Sequence, residues 1–294
     1  MLAAARKVAA VRARVQGLGA GFTNPCLQLS TGCTLWQCER WQHSELGSTV
    51  HPGGEGGYCG LYPGHVPTSP LQKALLAVGS GVAALLDPYR HDSVAVLGET
   101  TGQLALRSLR DQMKRDPEGQ SILQERPRIR LSTLDMSALG ALPNGTLGRE
   151  YLRFLQTNRV TPDSRLAVRF VDDEELAYVM QRYREVHDLL HTLLHMPTNM
   201  LGEVVVKWFE AAQTGLPMCM LGAALGPLRL SPRRLQPLVS TLVPWALRSG
   251  CNARCVLSVY YEQRWGQNLE ELREELGIEP PPALRHRRGD PLQH

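Results

Sequence analysis

"DDEELAYVMQRYREVHDLLHTLL", Asp172–Leu194, is the stretch that decides the fold. Its apolar residues Leu176, Val179, Met180, Tyr183, Val186, Leu190 and Leu194 recur at intervals of three and four, the period of one helix face. The spacing predicts a long helix, opened by Asp172 as a cap with Glu175 three residues on. Pro197 must end it, because proline brings no N–H to the hydrogen-bond ladder. A second helix is expected to restart near Thr198, another cap candidate.

That hairpin carries "HDLLHTLLHMPTNMLGE", His187–Glu203. Ionisable groups on an apolar segment are costly without partners, and one bound metal ion would serve them together. His187 and His191 stand at i and i+4, so both imidazoles leave the same helix face. Asp188 sits beside them on the helical wheel, and Glu203 falls on the first turns of the next helix, which folds back. The candidate ligands are therefore His187, Asp188, His191 and Glu203. Zinc accepts this donor set, and so do iron(II) and manganese. The competing reading is a pair of buried, hydrogen-bonded histidines with Asp188 as an ion partner.

Other helix starts lie on either side. "SPLQ" at Ser69–Gln72 is a capping box with proline in the first helical position. "SPRRLQPLVSTLVPWAL" opens at Ser231 and is expected to kink at Pro244, and "NLEELREELG" runs from Asn268 to a stop at Gly277. "VLSVYY" from Val256 is the one strand-like run, too short for a sheet. The expected class is all-α: a single helical-bundle domain with an apolar groove, residues 66–279. It follows a targeting and disordered segment, residues 1–65, and precedes a flexible tail, residues 280–294.

The chain has 294 residues, 43% hydrophobic and 20% charged, with a net charge of +4. No dense basic run with interleaved aromatics appears, so nucleic acid is not an expected partner. The apolar run "ALLAVGSGVAALL", Ala74–Leu86, is shorter than the roughly 20 residues a bilayer span needs. Seven cysteines form no CxxC pair and read as free thiols. The first 22 residues hold Arg6, Lys7, Arg12 and Arg14, and no acid precedes Glu39. On a helical wheel the valines gather away from those cations, the pattern of a mitochondrial transit peptide.

"RYREVHDLLH" followed by eleven residues and Glu203 resembles the coenzyme Q (ubiquinone) biosynthesis protein that stands fourth in that pathway's numbering. "PTSPLQKALLAVGS", "PYRHDSVAVLGETTG", "LRDQMKRDPEG", "LGREYLRFL", "RFVDDEELAYV" and "GEVVVKWFEAAQTGLPM" agree in order, from about Val66 to Ile278. The resemblance implies an all-helical fold and a metal, usually taken as zinc, on His187, Asp188, His191 and Glu203. It implies a peripheral place on the matrix side of the mitochondrial inner membrane, within a complex of coenzyme Q biosynthesis proteins. The implied activity is that of a metal-dependent carboxy-lyase. It removes the ring carbon-1 carboxyl of 4-hydroxy-3-methoxy-5-polyprenylbenzoate, alone or coupled to hydroxylation. One departure is His195, where the family commonly has glycine. A histidine there either bears a left-handed conformation or reaches the metal as an extra ligand.

Two segments suit an isoprenoid tail: "ALLAVGSGVAALL" and "LPMCMLGAALGPL", Leu216–Leu228, in which Gly222 and Gly226 would leave room for a chain. A metal phosphohydrolase is disfavoured because no Asp lies between Val204 and Gly289. A non-catalytic scaffold that binds polyprenyl lipid and partner enzymes around a structural metal is the alternative, because four protein ligands would leave no open position.

Overall fold

The computed structural model describes residues 60–87 and 90–282. The transit-peptide reading of the first 22 residues, and most of the 1–65 and 280–294 segments, lie outside them. Regular structure among the described residues is helical, and the one β-type pairing is an isolated bridge between Thr146 and Asn268. We number the α-helices in chain order: α1 Pro70–Leu86, α2 His91–Thr101, α3 Gln103–Arg115, α4 Pro117–Glu125, α5 Met136–Ala141, α6 Leu147–Asn158, α7 Glu174–Leu193, α8 Met200–Thr214, α9 Pro217–Leu225, α10 Pro232–Pro237, α11 Val243–Asn252 and α12 Leu269–Leu276.

The starts and stops follow local chemistry. Ser69 and Gln72 form the expected capping box on α1. Asn268 caps α12, and Gly277 closes it at φ 73°. Four expectations shift. The cap of α7 is Asp173, not Asp172, because the Asp172 carboxylate is taken by Lys73 at 2.5 Å and His65 at 2.9 Å. The cap of α8 is Asn199, not Thr198, whose hydroxyl donates to Asn158 instead. Ahead of Pro244 the expected simple kink is replaced by a π-helical turn, Leu238–Leu242, that runs directly into α11, with Pro244 in its first turn. "VLSVYY" forms 3-10 turns, Val256–Ser258 and Tyr261–Gln263, not a strand. Its carbonyls find partners inside the domain: Arg182 donates to Leu257 O and Val259 O at 3.1 and 2.7 Å.

Helix α7 is the axis of the fold. Every residue from Leu176 to Leu193 is buried, against α3, α6, α8 and the Val256–Ser258 turn. Its apolar positions join one continuous core. Its charged positions tie down the neighbouring segments. Arg182 pairs with Glu262 at 2.8 Å. Arg184 bonds Glu99 at 2.5 Å and the Leu166 carbonyl at 2.9 Å, while Glu99 accepts from the Arg169 and Phe170 amides. Glu185 accepts from Arg128 and from the Ile129 amide. A buried charge is tolerated only when such partners compensate the lost water.

Candidate metal centre

Helix α7 ends in a tight reversal. His195 takes φ 52°, the left-handed conformation the sequence implied, and is exposed. The Met196 amide turns back to the His191 carbonyl at 2.9 Å, and Asn199 caps α8 through the Leu201 and Gly202 amides. Gly202 is needed here for space: a Cβ would stand 1.9 Å from the Pro197 carbonyl oxygen. Helix α8 can therefore lie back along α7, with Glu203 one residue past that contact.

His187, His191 and Glu203 meet at the result. Each offers one ligand atom, and these atoms all lie within 4.8 Å of one another. Nε2 of His191 is 3.3 Å from Glu203 Oε1, and Nε2 of His187 is 3.6 Å from Oε2. The two rings stand edge to face at 5.0 Å, and Phe154 of α6 stacks on His191. Both Nδ1 atoms are already committed. His191 Nδ1 donates to the Met196 carbonyl at 3.1 Å, and His187 Nδ1 donates to Glu210 at 2.6 Å. Each Nε2 is thereby left with its lone pair turned toward Glu203. His191 Nε2 is buried and has no hydrogen-bond partner. A buried acceptor is not left orphaned without cost, and a cation bound between two Nε2 atoms and a carboxylate would satisfy it. The donor set fits a metal.

The fourth expected ligand stands apart from that group. Asp188 is buried, and its carboxylate is held by the Arg165 guanidinium through both Nη2 and Nε. His195, the possible extra ligand, is not among the converging groups.

Two residues beneath the site escaped the sequence reading. Glu210 is fully buried, and Lys207 donates to it at 2.7 Å. Burial opposes both charges, but their mutual attraction prevails: the carboxyl is held far down and the ammonium up. The signal was present, since Glu203, Lys207 and Glu210 follow at four and three along one face of α8. Cys219, Cys251 and Cys255 are free thiols, and burial pushes the Cys219 thiol up to about 12.

The room expected at Gly222 and Gly226 is filled. A Cβ on Gly226 would meet Val204 Cγ2 at 2.4 Å, and one on Gly222 would meet Lys207 Cγ at 3.3 Å. These glycines let α8 and the α9 region approach, so they serve helix packing. Apolar surface is exposed elsewhere, along α1, where Leu71, Leu75, Val78, Val82 and Leu85 repeat at four and three. Leu228, Leu235 and Val239 are also exposed, and Arg229 joins the two surfaces by donating to the Leu85 carbonyl. No helix among the described residues is long and apolar enough to cross a membrane.

Residues 62–282 match the profile of the family described as "Coenzyme Q (ubiquinone) biosynthesis protein Coq4". A zebrafish protein named as a mitochondrial ubiquinone biosynthesis protein homologue of that kind is 76% identical over 223 residues, which cover 76% of this chain and 82% of the relative. The human protein of the same name is 70% identical over 222 residues, covering 76% and 84%. In fold, the chain is similar to a crystal structure of a putative ubiquinone biosynthesis protein from Nostoc punctiforme. That likeness has a TM-score of 0.57 at 23% identity and covers 70% of this chain and 98% of the other.

Proposed function

This chain belongs to the Coq4 family of coenzyme Q (ubiquinone) biosynthesis proteins, and from that premise we propose that it is a metal-dependent carboxy-lyase of the pathway. Its substrate in this reading is a 4-hydroxybenzoate bearing a polyprenyl tail, which loses the carboxyl group at ring carbon 1. The observation that carries the proposal is the convergence of two Nε2 lone pairs, one of them without a partner, on the Glu203 carboxylate.

His187, His191 and Glu203 would hold the ion, with zinc the first choice and iron(II) or manganese compatible with the same donors. When bound, the ion supplies a Lewis acid for a carboxylate or phenolate oxygen and, if it is iron(II), access to the coupled hydroxylation. Asp188 enters the set only if Arg165 releases it. While the pair holds, three protein ligands leave a position open for substrate. Arg165 also lines a cavity of about 320 Å³ with Arg128 and Arg130. An anionic ring of the benzoate class entering there would meet Arg130, beside Arg128 and Arg165, which already pair with Glu185 and Asp188. Decarboxylation balances with one proton: the ring carbon gains hydrogen as CO2 departs.

The tail and the inner-membrane surface are assigned to the exposed apolar face of α1 and the Leu228–Val239 segment. Arg229, Arg233 and Arg234 lie along that segment, and no acid occurs between Glu210 and Glu262. That balance suits anionic lipid on the matrix side. The scaffold alternative uses the same face, with partner enzymes of the biosynthetic complex docked there, and is separated by catalysis alone. Metal analysis of the purified protein, paired with CO2 release from the prenylated substrate, tests the reading. Stoichiometric metal and CO2 release abolished by His191→Ala are expected. Metal without turnover would leave the scaffold, and no metal in wild type would remove both.

A further inference from the structure

We propose that Glu210, clamped by Lys207 and Tyr183, is the positioning residue that fixes the ring and tautomer of His187 for metal binding. The inference rests on the metal reading above and names groups beyond its ligands.

The clamp is a polar ladder between α7 and α8. On α7, Tyr183, His187 and His191 stand four residues apart. On α8, Glu203, Lys207, Glu210 and Thr214 follow at four, three and four. One end of the ladder is the triad. The other is a buried network around Glu210, whose two oxygens have different partners. Oε1 accepts from His187 Nδ1 at 2.6 Å. Oε2 accepts from Lys207 Nζ at 2.7 Å and from the Tyr183 hydroxyl at 2.8 Å, with Cys219 Sγ at 3.6 Å. Lys207 also donates to Tyr183 at 3.1 Å, and Thr214 donates to the Glu210 carbonyl at 2.7 Å.

Two consequences follow from that division. Oε2 is saturated, so the carboxylate cannot rotate away from His187 without breaking two buried bonds. Lys207 balances the carboxylate charge at Oε2, which leaves Oε1 to His187. His187 donates its Nδ1 proton to Oε1, and its Nε2 faces Glu203. The Met196 carbonyl does the same for His191. Metal-binding histidines characteristically donate their other ring N–H to a carboxylate or carbonyl, and loss of that partner typically weakens metal binding about 10–100-fold. A purely structural ion pair would be satisfied by Lys207 and Glu210 alone, three residues apart on one helix, and would not need His187.

The test uses the full chain and zinc ions. Nitrogen-detected NMR of metal-free wild type is expected to show His187 protonated at Nδ1. Zinc competition against a chelating dye then compares wild type, Glu210→Gln and Tyr183→Phe, with melting measured in chelator. Glu210→Gln is expected to weaken zinc about 10–100-fold and to blur the His187 tautomer, with Tyr183→Phe weaker in the same direction. Tyr183→Phe keeps the test alive if Glu210→Gln does not fold. Folded variants that retain wild-type zinc affinity, or a wild-type His187 protonated at Nε2, would overturn the inference. Absence of zinc binding in wild type would instead remove the metal reading, and the tautomer result would stand apart from it.

Discussion

Helix α1 is apolar along most of its length and buries none of its side chains, whereas α7 carries Arg182, Arg184, Glu185, His187, Asp188 and His191 and buries all of them. The difference lies in partners. Each charge of α7 meets a counter-charge, a carbonyl or an amide from a different part of the chain, so water can be excluded. The leucines and valines of α1 need no specific partner, and α1 lies at the edge, packed mainly on α2. In these two helices burial follows position and satisfied polarity, and the exposed apolar helix is left to meet something outside the domain.

The sharpest way to break that comparison is to remove a partner from α7. Arg182 is fully buried and holds Leu257 O, Val259 O and Glu262. Arg182→Ala is expected to lower stability by about 3–5 kcal/mol in denaturant unfolding, because Glu262 and two carbonyls lose their donor. A change below about 1 kcal/mol would mean that the buried charges are not what fixes the 3-10 turns.

Gly226→Ala probes the contact of the α9 region with α8. The new methyl meets Val204 at 2.4 Å, and overpacking of this kind typically costs about 1–3 kcal/mol. A stable variant that loses only long-tailed substrate would restore the lipid path the sequence suggested at this glycine. Helix α1 is expected to behave in the opposite way. Leu75, Val78 and Val82 are 65%, 67% and 51% exposed. Their joint replacement by serine is expected to leave each site within about 0.5 kcal/mol while flotation with anionic vesicles is lost. A collapse of stability would show that this face is covered within the chain.

The smallest effect is expected at His195. Its φ of 52° is strained for a side-chain residue, and His195→Gly should raise stability by about 1 kcal/mol. That corresponds to about 2–4 °C in melting for a domain of this size. A loss of bound metal in the same variant would instead give His195 a place among the ligands.

The sequence was most legible where the information is local. The α1 capping box, the α12 ends, the three-and-four repeat of α7 and the His187, His191 pair are set by neighbours within a turn or two, and the helix hairpin with its short link brought Glu203 back. The errors at Asp172 and Thr198 came from competition: a cap candidate was taken by a partner far along the chain. "VLSVYY" failed for the same reason, since Arg182 supplies from a distance what a sheet neighbour would have supplied.

The helical class, the hairpin and the identities of His187, His191 and Glu203 as converging groups were determined by the sequence, because short-range spacing and capping chemistry specify them. Only the tertiary structure decided that Asp188 turns to Arg165, that Glu210 and Lys207 support His187, and that α1 stays outside the core. Those outcomes depend on which groups meet across dozens of residues, and that is set by packing, not by local pattern.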